Sequence, residues 1–403
     1  MSTVTLADIQ AAHQELRSAV NRTPLLTSRT MNRMVGAPVL LKAENLQRTG
    51  SFKVRGAFHC LNRLARTNPG GLVVTASAGN HAQGIALASS LTGMRALVFM
   101  PETASLAKVQ ATTAYGAEVR LVGNTFDEAV QAAQEYGKAH GGVYVSAFDH
   151  DDIITGQGTI ALEMLEDRPD LDTVIVPVGG GGLISGMAIA LKESNPNLRV
   201  IGVQAEAAAS MVEAWRRHEL VALPMGRTIA DGIAIKYPSE RTLRYLERYV
   251  DEMVTVSDEA IAETIVLALE RLKLVLEGAG AAALAALLHG KVRPGALTGV
   301  VLSGGNIDPK LLSTLISRQM LKSDRYARLL TVVEDTPGGL VRVLEAIAEL
   351  RGNLIEVTHH RVSAEVPLGM TGIELELETR DRPHLDAIVT RLHELGCRVT
   401  IMA

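Results

Sequence analysis

One lysine, Lys53, has the surroundings that covalent chemistry needs. It lies in Thr49-Gly-Ser-Phe-Lys-Val-Arg-Gly-Ala57, between two glycines, where a loop changes to a helix. Apolar residues recur at helical spacing from Val54 onward, which puts Lys53 in the first helical turn. The unpaired N–H groups and positive dipole of that turn lower the pKa of a lysine. A neutral amine can form a Schiff base with an aldehyde, although an ordinary surface lysine is the alternative interpretation.

Three further motifs each follow a strand-like run. Ser77-Ala-Gly-Asn-His-Ala-Gln-Gly84 joins a strand to a helix, and its N–H groups can hold a carboxylate. Four glycines at 179–182, followed by Leu183, let the backbone close around a phosphate. Ser303-Gly-Gly-Asn306 offers a hydroxyl to a heterocycle nitrogen. A flexible loop explains each glycine motif alone, but together with the lysine they are the parts that bind pyridoxal 5′-phosphate (PLP).

These motifs, in this order, resemble the threonine dehydratase (threonine ammonia-lyase) branch of the tryptophan-synthase-β-like PLP enzymes. The resemblance covers nearly all of residues 5–320. Shorter matches agree with it: Arg22-Thr-Pro-Leu25, Lys42-Ala-Glu-Asn-Leu-Gln47, Gly156-Gln-Gly-Thr159, Ala230-Asp-Gly232 and Leu276-Glu-Gly278. It implies an α/β, two-domain fold type II PLP enzyme and a lyase of class 4.3.1. The implied reaction converts L-threonine to 2-oxobutanoate and ammonia, with L-serine giving pyruvate as a secondary activity.

The resemblance also implies roles for individual residues. Lys53 would bind PLP and then act as the base for the Cα proton. The implied cofactor-binding residues are Phe52, Lys53, Asn80, Gly179, Gly180, Gly181, Gly182, Leu183, Gly232, Glu277 and Ser303. The implied substrate-binding residues are Ser77, Ala78, Gly79 and His81. Two structural alternatives stay open: His81 as a loop histidine with a structural bond, and Glu277 as a carboxylate favoured by a helix N-terminus.

Two positions bear on the type of reaction. A serine at position 303 cannot keep the pyridine nitrogen protonated as an aspartate does, which favours loss of a β-hydroxyl over transamination. Serine racemases typically carry a second serine where this chain has Ala78, and alanine cannot transfer a proton. Elimination with little racemisation is therefore predicted. The alternatives are a serine racemase or serine dehydratase, another fold type II PLP enzyme such as a β-replacement enzyme, and a non-catalytic amino-acid sensor.

Periodicity divides the chain into a catalytic region and a C-terminal domain. Alternating strands and helices within about 46–150 predict a small α/β domain inserted in a large domain made of 1–45 and 151–322, with parallel sheets. After about Asp324 the order βαββαβ predicts an α+β ferredoxin-like unit. Its sequence over 328–403 resembles the ACT domain, which binds amino acids, and a plain oligomerisation appendage is the alternative. The resemblance implies an effector site at Gly339, Leu340 and Asn353, with isoleucine or valine as the effector.

Composition narrows the partners. The 403 residues carry a net charge of −4 and only 3% aromatic residues, which argues against nucleic acid and membrane surfaces as partners. Cys60 and Cys397 lack CxxC neighbours and are interpreted as buried thiols of a cytoplasmic protein. No signal peptide or membrane span is predicted. No metal is predicted, although a cation site near 200–206 stays open because Gln204 stands where some relatives have glutamate. An ACT domain implies a homodimer or homotetramer, since its ligand sites form between copies.

Overall fold

A computed structural model describes residues 3–224, 226–360 and 366–402 of the chain. It divides into two compact units, the first ending at Asp308 and the second beginning at Pro309. The helix Pro309–Lys322 is thereby grouped with the second unit, whereas the sequence-based division places it with the first. None of the helices in the described ranges has both the length and the apolar character needed to cross a bilayer.

The first unit alternates strands and helices along most of its length. Its strands are β1 (Leu25–Thr27), β2 (Val39–Ala43), β3 (Leu72–Ala76), β4 (Arg95–Met100), β5 (Glu118–Leu121), β6 (Val143–Tyr144), β7 (Thr173–Pro177), β8 (Arg199–Ala205), β9 (Glu252–Val256) and β10 (Thr298–Leu302). Its helices are α1 (Leu6–Leu16), α2 (Arg29–Val35), α3 (Lys53–Thr67), α4 (Asn80–Thr92), α5 (Leu106–Ala114), α6 (Phe126–His140), α7 (Asp151–Asp167), α8 (Gly182–Ser194), α9 (Ser210–Arg217), α10 (Glu240–Tyr249), α11 (Asp258–Leu267) and α12 (Gly278–Leu288).

The larger sheet has the strand order β1-β2-β10-β7-β8-β9. All neighbours are parallel except β1, which pairs antiparallel with β2. Every residue of β2, β7 and β10 is buried, as expected for central strands covered on both faces. Because β10 inserts between β2 and β7, the chain segments that follow these three strands meet at one edge of the sheet.

The smaller sheet has the order β5-β4-β3-β6 and is parallel throughout. All four strands come from the segment predicted as the small domain. Helix α3 packs against α4 and α7. A Cβ atom on Gly156 of α7 would lie 2.6 Å from the Cα of Gly56 in α3, so the two backbones touch where both residues are glycine. These contacts hold the helix that begins at Lys53.

The second unit contains α13 (Pro309–Lys322), β11 (Tyr326–Glu334), α14 (Gly339–Glu349), β12 (Asn353–His360), β13 (Met370–Glu378), α15 (Arg382–Glu394) and β14 (Arg398–Met402). The sheet is antiparallel with the order β12-β13-β11-β14, which is the ferredoxin-like arrangement expected from the βαββαβ pattern. Apolar residues of β11, β13, α14 and α15 form its core, including Leu329, Leu375, Ile347 and Ile388.

Three elements were not predicted from the sequence. Strand β1 has three residues and helix α2 has seven, which is too short for a clear periodicity. Helix α13 has 14 residues and begins at a proline, which suits a first helical position. The remaining elements agree with the predicted alternation of strands and helices.

Candidate active site

A cavity of about 1210 Å³ lies in the first unit where the ends of β3, β7 and β10 meet the start of α3. The larger sheet supplies the loops after β7 and β10, and the smaller sheet supplies the loop after β3. The cavity is lined by every residue that the sequence predicted for cofactor or substrate: Phe52, Lys53, Ser77, Ala78, Gly79, Asn80, His81, Gly179, Gly180, Gly181, Gly182, Leu183, Gly232, Glu277 and Ser303.

Lys53 is the first residue of α3, and Phe52 is the N-cap without a side-chain capping bond. The loop before α3 is tied to the loop after β10, since the Phe52 N–H donates to the Ser303 carbonyl at 3.2 Å. The Lys53 Nζ donates to the Ala147 carbonyl at 3.2 Å. Lys53 is half-buried and lines the cavity. Burial lowers the Lys53 pKa to about 8, against the opposing charge of Glu277.

A chain of hydrogen bonds holds the side chain of Asn80. The Asn306 Nδ2 donates to the Thr49 carbonyl and to the Asn80 Oδ1, each at 2.7 Å. The Asn80 Nδ2 then donates to the Glu277 Oε1 at 2.6 Å. These bonds fix the orientation of the Asn80 amide and leave its second N–H for a ligand in the cavity.

Glu277 is buried and does not cap the helix that follows it. Burial raises its pKa to about 7, with a further increase from Asp231, while Asn80, Lys108 and Lys53 act in the opposite direction. The carboxyl group is directed to Asn80 rather than to the N–H groups of α12. The geometry therefore favours the site interpretation of Glu277 over the helix-end alternative.

In the loop 179–182, glycine is required by the packing of the protein itself and not only by a ligand. A Cβ atom on Gly180 would lie 2.3 Å from the Phe148 ring, and one on Gly182 would lie 2.9 Å from the Phe148 Cα. Gly181 has φ 87°, a left-handed conformation that favours glycine. It is the N-cap of α8 and provides no side-chain cap, so the first N–H groups of α8 are left for an anion. A phosphate fits this set of donors.

The loop after β3 presents a second uncapped helix end. Gly79 is the N-cap of α4 and makes no side-chain capping bond, while its N–H donates to the Ser77 Oγ at 3.2 Å. The His81 Nε2 donates to the Val145 carbonyl at 3.3 Å, which is the structural bond of the alternative interpretation. Burial, followed by the charge of Lys53, lowers the His81 pKa to about 3, so the ring is neutral. A substrate carboxylate would depend on the N–H groups of α4 and not on a charged His81.

Ser303 follows β10 and is buried at the floor of the cavity. Its Oγ donates to the Ala279 carbonyl in the first turn of α12 at 3.2 Å. The hydroxyl oxygen keeps its acceptor capacity, and the O–H can rotate toward a ligand. No carboxylate occupies this position, as the sequence predicted.

Several lining residues were missed in the sequence. Phe148 follows the two-residue strand β6 and belongs to none of the motifs. Its side chain and backbone nevertheless leave no space for a Cβ atom at positions 180 and 182. Asn306 ends the motif Ser303-Gly-Gly-Asn306, but the sequence predicts no role for its side chain. Lys108 and Asp231 form an ion pair of 2.9 Å between the α5 segment and the loop after α9, and both line the cavity. Only the folded chain brings these residues together.

Two places in the described chain resemble cation sites, the Gln204 side chain and the group Cys60, His150 and Asp152, and neither supports a bound metal. The Gln204 Oε1 accepts the N–H groups of Met211 and Val212 at 3.1 and 3.0 Å, which occupies this oxygen at the start of α9. Cys60, His150 and Asp152 lie close together, but Asp152 is paired with Arg63 at 2.6 Å. Burial raises the pKa of the Cys60 thiol well above its usual range, so it stays protonated. We assign no metal to either place.

Comparison with known proteins identifies the family. A family profile described as pyridoxal-phosphate-dependent enzyme matches residues 16–304. The chain belongs to the pyridoxal-phosphate-dependent enzymes. The cofactor predicted from the motifs is thus confirmed. Its aldehyde suits the amine of Lys53, its ring oxygen suits the amide of Asn80, and its phosphate suits the uncapped start of α8.

Relatives of this PLP-dependent enzyme include an L-threonine ammonia-lyase of Thermotoga maritima, 45% identical over 399 residues that cover 99% of this chain and 100% of the relative. A solved structure of threonine deaminase isoform 2 from Solanum lycopersicum has a TM-score of 0.74 at 35% identity and covers 78% of this chain and 87% of the other. The structure of maize serine racemase has a TM-score of 0.74 at 31% identity, with coverages of 80% and 99%. The predicted fold class is confirmed.

The three residues predicted for an effector lie in the second unit. Gly339 and Leu340 form the first turn of α14, after Gly338 with φ 88°, rather than a loop. Asn353 begins β12, is exposed, and donates from Nδ2 to the Glu378 Oε2 at 3.2 Å. Gly339 is buried and Leu340 is half-buried.

Proposed function

We propose that this enzyme is an L-threonine ammonia-lyase that dehydrates and deaminates L-threonine to 2-oxobutanoate and ammonia, with pyruvate from L-serine as a secondary product. The observation that carries the proposal is Lys53, an amine with a pKa of about 8 that lines the same cavity as the uncapped start of α8. A full-length relative at 45% identity bears the same name.

Lys53 supplies the base in this proposal. PLP, when bound, withdraws electrons from the substrate Cα and so weakens its C–H bond. An amine with a pKa near the working pH exists partly as the free base, which lets its Nζ accept the Cα proton and later release it. The Ala147 carbonyl, 3.2 Å away, holds Nζ on the cavity side of α3.

The other residues bind and orient. The N–H groups at the start of α4, next to Ser77 and Gly79, suit the substrate carboxylate. The Asn80 amide suits the ring oxygen of the cofactor, and its Nδ2 also donates to the Glu277 Oε1 and so orients that carboxyl group. With a pKa of about 7, Glu277 can hold or release a proton at this position. Loss of the β-hydroxyl and of one proton from Cα removes water, and hydrolysis of the product releases ammonia and the 2-oxo acid.

A serine racemase is the second candidate, because a solved racemase shares the fold. Racemisation requires a proton donor on the opposite face of Cα. Ala78 lines the cavity with a methyl group only, and a methyl group transfers no proton. We therefore favour elimination.

The second unit is proposed to act as an ACT regulatory domain. Its ferredoxin-like sheet and the turn at Gly339 and Leu340 support this, with Asn353 as a further contact for isoleucine or valine. We further propose a homodimer or homotetramer in the cytoplasm. The two cysteines are buried and unpaired, which suits a reducing compartment.

The first test is 2-oxo acid release from L-threonine by the wild type, Lys53→Ala and Lys138→Ala, a surface lysine of α6. Product from the wild type and Lys138→Ala, with none from Lys53→Ala, is expected. Equal product from Lys53→Ala would remove the lysine from the mechanism. PLP bound without product from threonine or serine would redirect the proposal to another substrate.

A further inference from the structure

Four charged side chains are buried together near the start of α3. They are Lys42 of β2, Glu44 just after β2, Arg55 of α3 and Glu163 of α7, and each residue is 0–3% exposed. Two positive and two negative charges make the cluster formally neutral. None of the four lines the cavity.

Arg55 donates two hydrogen bonds to each carboxylate of the cluster. Its Nε and Nη2 donate to Glu44 at 2.9 and 2.8 Å. Its Nη1 and Nη2 donate to Glu163 at 2.7 and 3.0 Å. A planar guanidinium has donors in a fixed fork, so these four bonds leave it little freedom to turn or slide.

Lys42 and Thr23 close the cluster into a ring. The Lys42 Nζ donates to the Glu163 Oε2 at 2.5 Å and to the Thr23 carbonyl at 2.7 Å. The Thr23 Oγ1 donates to the Glu44 Oε1 at 2.5 Å. Strand β2 of the larger sheet is thereby joined through charged side chains to α3, which packs beside the smaller sheet.

Stability alone is a weak reason to bury four charges. Desolvation offsets most of the attraction in a buried ion pair, and apolar replacements are often as stable. The better attested role of such groups is to fix the register between elements, which here means the position of α3.

The position of α3 along and around its axis determines where the Lys53 side chain lies. Arg55 comes two residues after Lys53, about 200° around the helix, so the two side chains leave on opposite sides. The start of α3 has no side-chain cap to hold it. A Cβ on Gly84 of α4 would lie 3.1 Å from the Lys53 carbonyl carbon, so α4 limits sideways movement. Arg55 adds charged bonds from the first turn of α3 to Glu44 and Glu163, and these bonds oppose rotation and sliding of the start of the helix.

We propose that the cluster of Lys42, Glu44, Arg55 and Glu163 is a positioning device that sets the rotation and axial position of α3 and thereby the place of the Lys53 Nζ. The proposal rests on Lys53 being the catalytic amine. Arg55 acts through Lys53 and touches neither substrate nor cofactor.

The test compares Arg55→Lys and Glu163→Gln with Leu198→Ala. Leu198 is a buried core residue before β8, outside the elements that carry the cluster, and its truncation destabilises the protein without touching α3. Arg55→Lys keeps the charge and loses the fork. We expect kcat to fall about 10- to 100-fold with KM changed less than about threefold, since small misplacement of a reacting group costs rate. Leu198→Ala should lower the melting temperature and retain kcat.

A second measurement reports the rate at which Lys53 reacts with PLP and does not depend on the lyase reaction. Borohydride traps PLP on the lysine, and peptide mass spectrometry reports how fast Lys53 is modified. Trapping should slow in Arg55→Lys and Glu163→Gln. Wild-type trapping without product from threonine would count against the proposed function alone. Normal trapping and normal kcat in Arg55→Lys, whatever its melting temperature, would overturn the positioning role.

A charge-balanced variant guards against misfolding. Lys42→Met with Glu163→Gln removes one charge of each sign and leaves the Arg55 fork on Glu44. It should be more stable than Glu163→Gln alone and still trap PLP slowly, because the charged contact between Arg55 and residue 163 is not restored. If trapping returns to the wild-type rate together with stability, the slow trapping of Glu163→Gln reflects lost stability and the positioning role is overturned.

Discussion

The environment of the cavity moves two pKa values toward neutrality. Burial lowers the pKa of Lys53 to about 8 and raises that of Glu277 to about 7. Each group also opposes the shift of the other, since the two charges attract. One site therefore contains an amine and a carboxyl group that both exchange protons near physiological pH.

Replacing Glu277 with glutamine should move the pH dependence of PLP capture. Capture by the apoprotein requires neutral Lys53, so its rate should rise with pH through about 8 and then level off. The Glu277 charge raises the Lys53 pKa, and its loss in Glu277→Gln should move the midpoint to lower pH. Glu240→Gln, on the exposed face of α10, serves as the control. An unchanged or higher midpoint would contradict this electrostatic coupling.

Replacing Ala78 with serine should open a racemisation route. The new hydroxyl would line the cavity beside Gly79 and could carry a proton to the second face of Cα. D-serine formed from L-serine, measured by chiral chromatography, should be far slower than pyruvate in the wild type and should rise in Ala78→Ser. Comparable rates in the wild type would refute the interpretation of Ala78.

At the scale of elements, helix ends and glycine contacts build the site. The starts of α4 and α8 lack side-chain caps, so both direct unpaired N–H groups toward the cavity. The loop before α8 packs directly on Phe148, which lies after β6 of the other sheet. The glycine loop 179–182, which follows β7 of the larger sheet, is therefore held by the segment that follows β6 of the smaller sheet.

Adding one methyl group to the loop should weaken cofactor binding. In Gly180→Ala the new Cβ would lie 2.3 Å from the Phe148 ring, so the loop or the ring must move. We expect PLP affinity to fall at least about tenfold, the size of a ~1.4 kcal/mol loss, in a fluorescence titration. Gly180→Ala with Phe148→Ala should recover part of the loss. Wild-type affinity in Gly180→Ala would mean that the loop tolerates a side chain.

At the scale of the whole molecule, two units with different sheet types share one chain. The first has mostly parallel sheets with a cavity at the strand ends, and the second has an antiparallel ferredoxin-like sheet. The Thermotoga maritima relative aligns over both units. The proposed regulatory role of the second unit therefore applies to a region that this relative shares.

Isoleucine or valine should change 2-oxo acid release from L-threonine by the full chain. Asn353→Ala removes an exposed side chain at the start of β12, so it should weaken the effector response several-fold at unchanged basal rate. Thr390→Ala on α15 is the matched surface control. No response to either amino acid in the wild type would favour the oligomerisation appendage, whereas a response that Asn353→Ala leaves unaltered would remove Asn353 from the proposed effector site.

The sequence alone determined the elements and the motif residues. Strand and helix patterns depend on neighbours in the chain, so most elements in both units agree with prediction. Motifs such as the one around Lys53 encode a local backbone shape, and the cofactor followed from four of them together. Short or weakly periodic elements such as β1 and α2 gave no such signal.

Only the tertiary structure decided how distant residues act on one another. The bond from Asn80 to Glu277 spans 197 positions and that from Asn306 to Asn80 spans 226, and no local pattern predicts them. The pKa values of Lys53 and Glu277 depend on burial by many parts of the chain. The charged cluster around Arg55 exists only when β2, α3 and α7 pack together. Electrostatics and desolvation act through space, and the sequence lists residues without their distances.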